Sequence, residues 1–155
     1  MFLPQRPYMP LGTLRQQLLF PATSSAVSDA ALLRMAQQVD LPRVAEAPND
    51  LDKEDDWAEM LSLGEQQRVA FLRLLCQQPA LAFLDEATSA LDADTERRLY
   101  TLLHTSCRTF VSVGHRMQLV KYHTHVLKWE APGKWVFMPA AEFQAALDPQ
   151  HAAVA

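Results

Sequence analysis

Apolar positions along this chain follow two rhythms. Between Ser28 and Val39, Leu32, Ala36 and Val39 recur at helical spacing. Ser28 can cap that helix, Asp29 suits its first turn, and Pro42 closes it. A second helical run begins near Ser62. Ser62 and Glu65 have the S-x-x-E spacing of a capping box, Val69, Leu72 and Cys76 share a face, and Pro79 stops the run. The rhythm then changes. Ala80–Leu84 is short, apolar and uninterrupted, which predicts a strand buried on both faces of a parallel sheet. Asp92 can cap another helix, reaching about His104, and Thr109–Val113 is a second strand. Val126–Trp129 and Trp135–Met138 flank Pro132-Gly133 and predict a hairpin, with a last helix over Pro139–Leu147. Ahead of these elements, Pro4, Pro7, Pro10 and Pro21 predict extended chain or loop, with at most a short helix around Leu14–Leu19. The acidic, polar stretch Glu46–Asp56 predicts a solvated connection. The order is helices, then strand–helix–strand–helix, then a hairpin, which is an α/β pattern.

Composition narrows the class. The 155 residues are 49% hydrophobic and 21% charged, enough for one domain with a sizeable core. Lys plus Arg is 14 and Asp plus Glu is 18, and this net charge of −4 argues against a nucleic-acid binder working through a basic face. No apolar run approaches the roughly 20 residues of a membrane-spanning helix. The start MFLPQRPYMP lacks the charged and then apolar regions of a secretory signal. Cys76 and Cys107 form no metal-ligand cluster and read as reduced thiols, although a disulfide is open to them. Gly12, Gly64, Gly114 and Gly133 are the only glycines, which leaves little room for a glycine-rich phosphate loop.

The chemistry centres on Leu81-Ala82-Phe83-Leu84-Asp85-Glu86. Two adjacent carboxylates stand at the carboxyl end of a strand, the edge where open α/β sheets bind ligands. On this pair alone, an acid holding Mg²⁺ and a pair of acids opening a loop are equally good readings. The surroundings add to it. Upstream lies Leu61-Ser62-Leu63-Gly64-Glu65-Gln66-Gln67-Arg68, directly downstream lies Ser89-Ala90-Leu91-Asp92, and Gly114-His115-Arg116 ends the second strand. In that order and spacing these segments resemble the ATP-binding cassette (ABC) family of P-loop ATPases. LSLGEQQR resembles its signature motif, LAFLDE its Walker B motif with catalytic glutamate, SALD its D-loop, His115 its switch histidine and Gln5 its Q-loop glutamine. The tail Leu119–Leu127 and the Trp135 strand resemble the peroxisomal fatty-acyl half-transporters and related bacterial fused exporters.

The resemblance implies roles. Asp85 and Gln5 would hold Mg²⁺ with ATP. Glu86 would polarise the attacking water, and His115 would contact the γ-phosphate. Ser62, Leu63, Gly64, Glu65 and Gln66 would bind nucleotide held by a second nucleotide-binding domain of a dimer. The physical basis is a helix N-terminus, whose unpaired N–H groups and partial positive charge suit phosphate. The capping role of Ser62 and Glu65 is a purely structural alternative. Ser89, Ala90, Leu91 and Asp92 would form the D-loop, and Gln5 would sit where the family couples to its permease. His123 and His125 alternate on a strand, either as metal ligands or as solvated histidines.

The same resemblance exposes a gap. The family binds nucleotide through G-x-x-x-x-G-K-[ST], and the only Gly-Lys pair here, Gly133-Lys134, does not fit it. The expectation is therefore an incomplete α/β P-loop domain of the ABC type, without the first strands and the P-loop. Within a partial nucleotide-binding domain over residues 1–150, about 9–78 would be the helical subdomain and about 79–138 the catalytic core. Residues 139–155 would be a C-terminal helix and tail. The complete protein would lie on the cytoplasmic face of a membrane through its permease and couple ATP hydrolysis to transport. The alternative is a non-catalytic module that offers its signature helix in trans or docks on another cassette subunit.

Overall fold

The computed structural model describes residues 1–22 and 26–147. Two compact units result, Met1–Val113 and a second beginning at Gly114. The first unit runs β1 (Phe2–Leu3), β2 (Gly12–Thr13), α1 (Leu14–Leu19), α2 (Asp29–Gln38), β3 (Glu54–Asp55) and α3 (Trp57–Met60). It continues with α4 (Leu63–Gln77), β4 (Leu81–Asp85), α5 (Ala93–Ser106) and β5 (Thr109–Val113). The second unit holds β6 (His125–Ala131), β7 (Lys134–Pro139) and α6 (Ala140–Leu147), preceded by a 3-10 turn over Met117–Tyr122. The end of the expected C-terminal tail, residues 148–155, lies outside the described residues.

Helix α4 is the spine of the first unit, with α1 and α2 packed against it. Ser62 and Glu65 form the capping box that starts it. It ends where Gln78 turns into left-handed backbone at φ 43°, just before Pro79. Leu14, Leu18, Leu32, Val69, Phe71 and Leu72 are buried around it. Arg73 is buried in the same core. It donates through Nε to the Gln17 carbonyl at 2.7 Å and through Nη1 to the Tyr8 carbonyl at 2.8 Å, and its guanidinium lies over the Phe20 ring. Burial pulls its pKa down to about 10, so it remains a cation at neutral pH.

The sheet of this unit is parallel, in the order β1–β4–β5. The prolines around Phe2 and Leu3 predict extended chain or loop, and these two residues take the extended form as an edge strand against Phe83 and Leu84. The expectation that β4 is buried on both faces is corrected. Ala82 and Leu84 are buried, whereas Leu81 and Phe83 are 39% and 46% exposed. The physical reason is one-sided packing. Leu3, Ala82, Leu84 and Phe110 face the helices, with Phe110 edge-on to Tyr100 of α5. Phe2, Leu81, Phe83, Val111 and Val113 line the other face and are exposed.

A second correction concerns Glu46–Asp56. It is not simply a solvated connection. Pro48–Asp52 forms a 3-10 turn, and β3 pairs antiparallel with β2. Leu51 is fully buried and anchors the segment. Asp50 locks the turn by accepting from the Ala47 and Glu46 N–H groups. The second unit is the expected hairpin with a terminal helix. Leu127 pairs with Phe137 and Trp129 with Trp135, Gly133 takes φ 75° in the turn, and α6 packs on both strands. His125 stacks on Phe137 at 4.9 Å, and His123 Nδ1 lies 2.9 Å from the Leu119 carbonyl. Among the described residues no group of three or more His, Cys, Asp or Glu is placed to hold a metal, and both cysteines are free.

Candidate functional site

The site is built at the carboxyl end of β4. Register decides who meets there. Leu3 lies opposite Leu84, so two residues on, Gln5 stands level with Glu86. Gln5 Nε2 donates to Glu86 Oε2 at 2.8 Å. Asp85 is the last residue of β4 and is exposed. Glu86 takes left-handed backbone at φ 45°, which costs a residue with a Cβ about 1 kcal/mol or more. Its N–H continues the ladder to the Val113 carbonyl at 3.0 Å, and the Ser89 N–H donates back to the Glu86 carbonyl at 2.9 Å. The chain is thus bent sharply after β4, away from the sheet direction, with the two acids at the bend.

The turn that follows is well tied. Thr88 is buried and donates through Oγ1 to Glu96 at 2.7 Å. Asp92 caps α5, accepting from the Asp94 and Thr95 N–H groups and the Thr95 hydroxyl. The Thr95 N–H and hydroxyl bonds hold the Asp92 carboxyl below the usual carboxylate range.

The first turn of α4 approaches this bend closely. A Cβ built on Gly64 would stand 3.1 Å from the Ala90 carbonyl, so only glycine fits there without movement. The capping box uses the amides at either side of that glycine. Ser62 N–H and Oγ donate to Glu65 Oε2 at 2.9 and 2.7 Å, and Glu65 N–H donates to Ser62 Oγ at 3.3 Å. Arg43 Nη2 donates to Glu65 Oε1 at 2.8 Å. Burial pushes the Glu65 carboxyl upward, but the Ser62 bonds and the Arg43 charge outweigh it, and its pKa ends below the ordinary value. The Gln66 amide is committed inward, to the Ala58 and Leu61 carbonyls, each at 2.9 Å. Ser62 and Leu63 are exposed. This helix end therefore presents the backbone N–H groups of Leu63 and Gly64, while the Ser62 hydroxyl, Glu65 and Gln66 are occupied in holding the turn.

Gln67 has no role of its own in the sequence pattern, yet its side chain joins α4 to two other segments of the region. It is fully buried. Its Nε2 donates to the Gln5 carbonyl at 2.8 Å and to Ser89 Oγ at 3.1 Å, and its Oε1 accepts from the Ala90 N–H at 3.1 Å. The available signal was a glutamine on the inward side of a helix, because a buried amide must find partners. His115 lies in the second unit and is exposed. Beside the Gln5 segment opens a mainly apolar pocket of about 400 Å³, lined among others by Pro7, Tyr8, Phe20, Pro21 and Arg73.

What this arrangement can do is hold and orient. Two carboxylates and one carboxamide suit a hydrated divalent cation carrying phosphate, and separately the start of α4 suits phosphate. Mg²⁺ needs only one or two protein carboxylates when phosphate oxygens and water complete its shell, so Asp85 fits without a larger cluster.

Comparison with known proteins gives a consistent outcome. The ABC transporter family model matches residues 5–89. An ABC transporter ATP-binding protein of Synechocystis is 49% identical over 139 residues, covering 90% of this chain and 21% of its own. ABC transporter D family member 2, chloroplastic, of Arabidopsis thaliana is 42% identical over 154 residues, covering 83% of this chain and 22% of its own. The structure of a bacterial Atm1-family ABC exporter with ATP bound matches with a TM-score of 0.77 and 25% identity, over 94% of this chain and 26% of that chain. The chain thus spans about a quarter or less of the length of these relatives.

Proposed function

The chain belongs to the ABC transporter family, and from that premise we propose that it forms part of an ATP-binding, ATP-hydrolysing unit that drives transmembrane transport in a longer protein. The observation that carries the reading is the Gln5–Glu86 hydrogen bond at the end of β4. It joins a carboxamide and an acid just beyond the ends of adjacent strands, where both can bond one water. Glu86 would accept a hydrogen bond from the attacking water and turn its lone pair towards phosphorus. Asp85 and Gln5 would hold the Mg²⁺ of Mg-ATP, which when bound neutralises charge on the phosphate oxygens. His115 would donate to the γ-phosphate. Ser62 and the Leu63 and Gly64 amides would meet the nucleotide of a second nucleotide-binding domain, with Ser89 to Asp92 as the D-loop between the two. In this reading residues 9–78 are the helical subdomain and 79–138 the catalytic core.

The pocket beside Gln5 supports a permease contact. It is mainly apolar, its wall includes Pro4, the sequence neighbour of Gln5, and a permease contact there would hold the unit on the cytoplasmic face of a membrane. No helix among the described residues is long and apolar enough to cross that membrane itself.

The test is a chimera in which this chain replaces the matching segment of the Synechocystis protein. ATP hydrolysis is expected, and Glu86→Gln should lower it by at least about 100-fold. Equal turnover in a variant that still binds ATP overturns the reading. The isolated chain carries no G-x-x-x-x-G-K-[ST], so no saturable ATP binding is expected at millimolar nucleotide.

A second reading is favoured by the exposed start of α4. The chain would lend this helix end in trans to a complete cassette subunit. The added chain should then change the partner's ATPase rate, and Ser62→Ala should abolish the change; an unchanged rate sinks this reading.

A further inference from the structure

Gln67 bonds to two of the proposed motifs at once from inside a third. It stands on α4, five residues beyond Ser62, and reaches the backbone of Gln5 and the Ser89–Ala90 turn. The chemistry of its amide fixes its orientation. Both Nε2 hydrogens meet acceptors and Oε1 meets a donor, whereas a flipped amide would set its NH₂ against the Ala90 N–H. Both amide hydrogens and the oxygen have protein partners, as a fully buried amide requires. Gly64, one turn earlier, brings the same helix against the Ala90 carbonyl. Ala90 is therefore held on its N–H by Gln67 and on its carbonyl side by Gly64. Gln5 is held on its carbonyl by Gln67 and bonds Glu86 through its side chain.

We propose that Gln67 is a positioning residue that ties α4 to Gln5 and to the Ser89–Ala90 turn, so that the Gln5–Glu86 pair follows the position of the helix. The proposal deepens the ATPase reading and rests on it for the meaning of the pair. Movement of α4 by a partner would be passed to the acid through one buried amide rather than through loose packing. Gln67 is fully buried and acts through Gln5, Ser89 and Ala90.

The test uses the ¹⁵N-labelled 155-residue chain without nucleotide, read by amide hydrogen exchange and side-chain NH₂ resonances. Gln67→Met keeps the length and removes the amide. It should speed Ala90 exchange about tenfold, the equivalent of one buried hydrogen bond, and shift the Gln5 NH₂ resonances. Leu72 and Leu74 amides within α4 should keep their protection. Gln67→Glu keeps an oxygen for the Ala90 N–H and loses both donors. It should hold Ala90 exchange within about threefold of the starting chain while the Gln5 resonances still move. Unchanged Ala90 and Gln5 signals in Gln67→Met, or protection lost equally along α4, overturn the proposal. If Gln67→Met does not fold, Gln67→Glu decides alone: Ala90 and Gln5 moving together, or neither moving, overturns it. Because no nucleotide is present, this outcome is independent of the Glu86→Gln result in the chimera.

Discussion

Gln5 and Glu86 are separated by 81 residues, and the Gln5 carboxamide donates to the Glu86 carboxylate at 2.8 Å. Strand register brings them level, since β1 and β4 run parallel and both side chains lie two residues beyond the last paired positions, Leu3 and Leu84. The bond is solvent-exposed, so its loss should matter little to folding. Gln5→Ala is expected to change unfolding free energy by less than about 1 kcal/mol in urea titration. In the chimera it should lower kcat by about tenfold or more with KM for ATP much less affected, because it removes a group that orients the attacking water. A KM effect with kcat intact would assign Gln5 to ground-state binding.

The capping box predicts a pH dependence. Glu65 is held below its ordinary pKa despite burial, by Ser62 and Arg43. A carboxyl depressed on folding contributes stability that is fully present above its unfolded value, near 4.5, and is lost as pH falls through the folded value. Urea midpoints should therefore drop below about pH 4.5 in the starting chain, and Glu65→Gln should flatten that acid limb. Ser62→Ala removes the helix cap as well and should cost about 1 kcal/mol at neutral pH. An acid limb of equal steepness in Glu65→Gln would assign the dependence to the other carboxyls held below their ordinary values, Asp29, Asp50, Asp92 and Glu130.

Leu51 gives the sharpest stability prediction, because it lies in a segment that reads as solvent-facing. It is fully buried, and Leu51→Ala should cost about 2–5 kcal/mol through lost transfer energy and a cavity. Thermal and urea unfolding measure it directly, and a loss below about 1 kcal/mol would mean that the segment collapses freely onto the gap.

That mismatch shows where legibility ends. Helices α2, α4 and α5 are written locally, by Ser28, Ser62 and Asp92 as caps and by their apolar periods, and the structure starts them there. Strand β5 and the hairpin are also local patterns. Strand β1 is not, because Phe2 and Leu3 become a strand only through a partner about 80 residues away. The Leu51 anchor is likewise invisible among its acidic neighbours. Strand β4 is covered on one face only; an uninterrupted apolar run records which residues tolerate burial and not what covers them. For the site, Asp85, Glu86 and Gln5 were legible as residue types in order. The tie through Gln67 was not, because it depends on three segments meeting.

Gly64 brings two effects into direct competition. It occupies the second position of α4, where replacing glycine by alanine ordinarily gains up to about 1 kcal/mol from helix propensity. Here the new Cβ would stand 3.1 Å from the Ala90 carbonyl and 3.4 Å from Leu91 Cδ2. Backbone must yield by a few tenths of an ångström, and Ala90 is held in place by Gln67. Gly64→Ala is therefore expected to gain less than about 0.5 kcal/mol in urea titration, or to lose slightly. Gly64→Val adds two methyl groups and should lose about 1–3 kcal/mol by overpacking, together with a shifted Ala90 amide resonance. A full propensity gain in Gly64→Ala would show that the Ser89–Ala90 turn yields freely, and that α4 does not hold it.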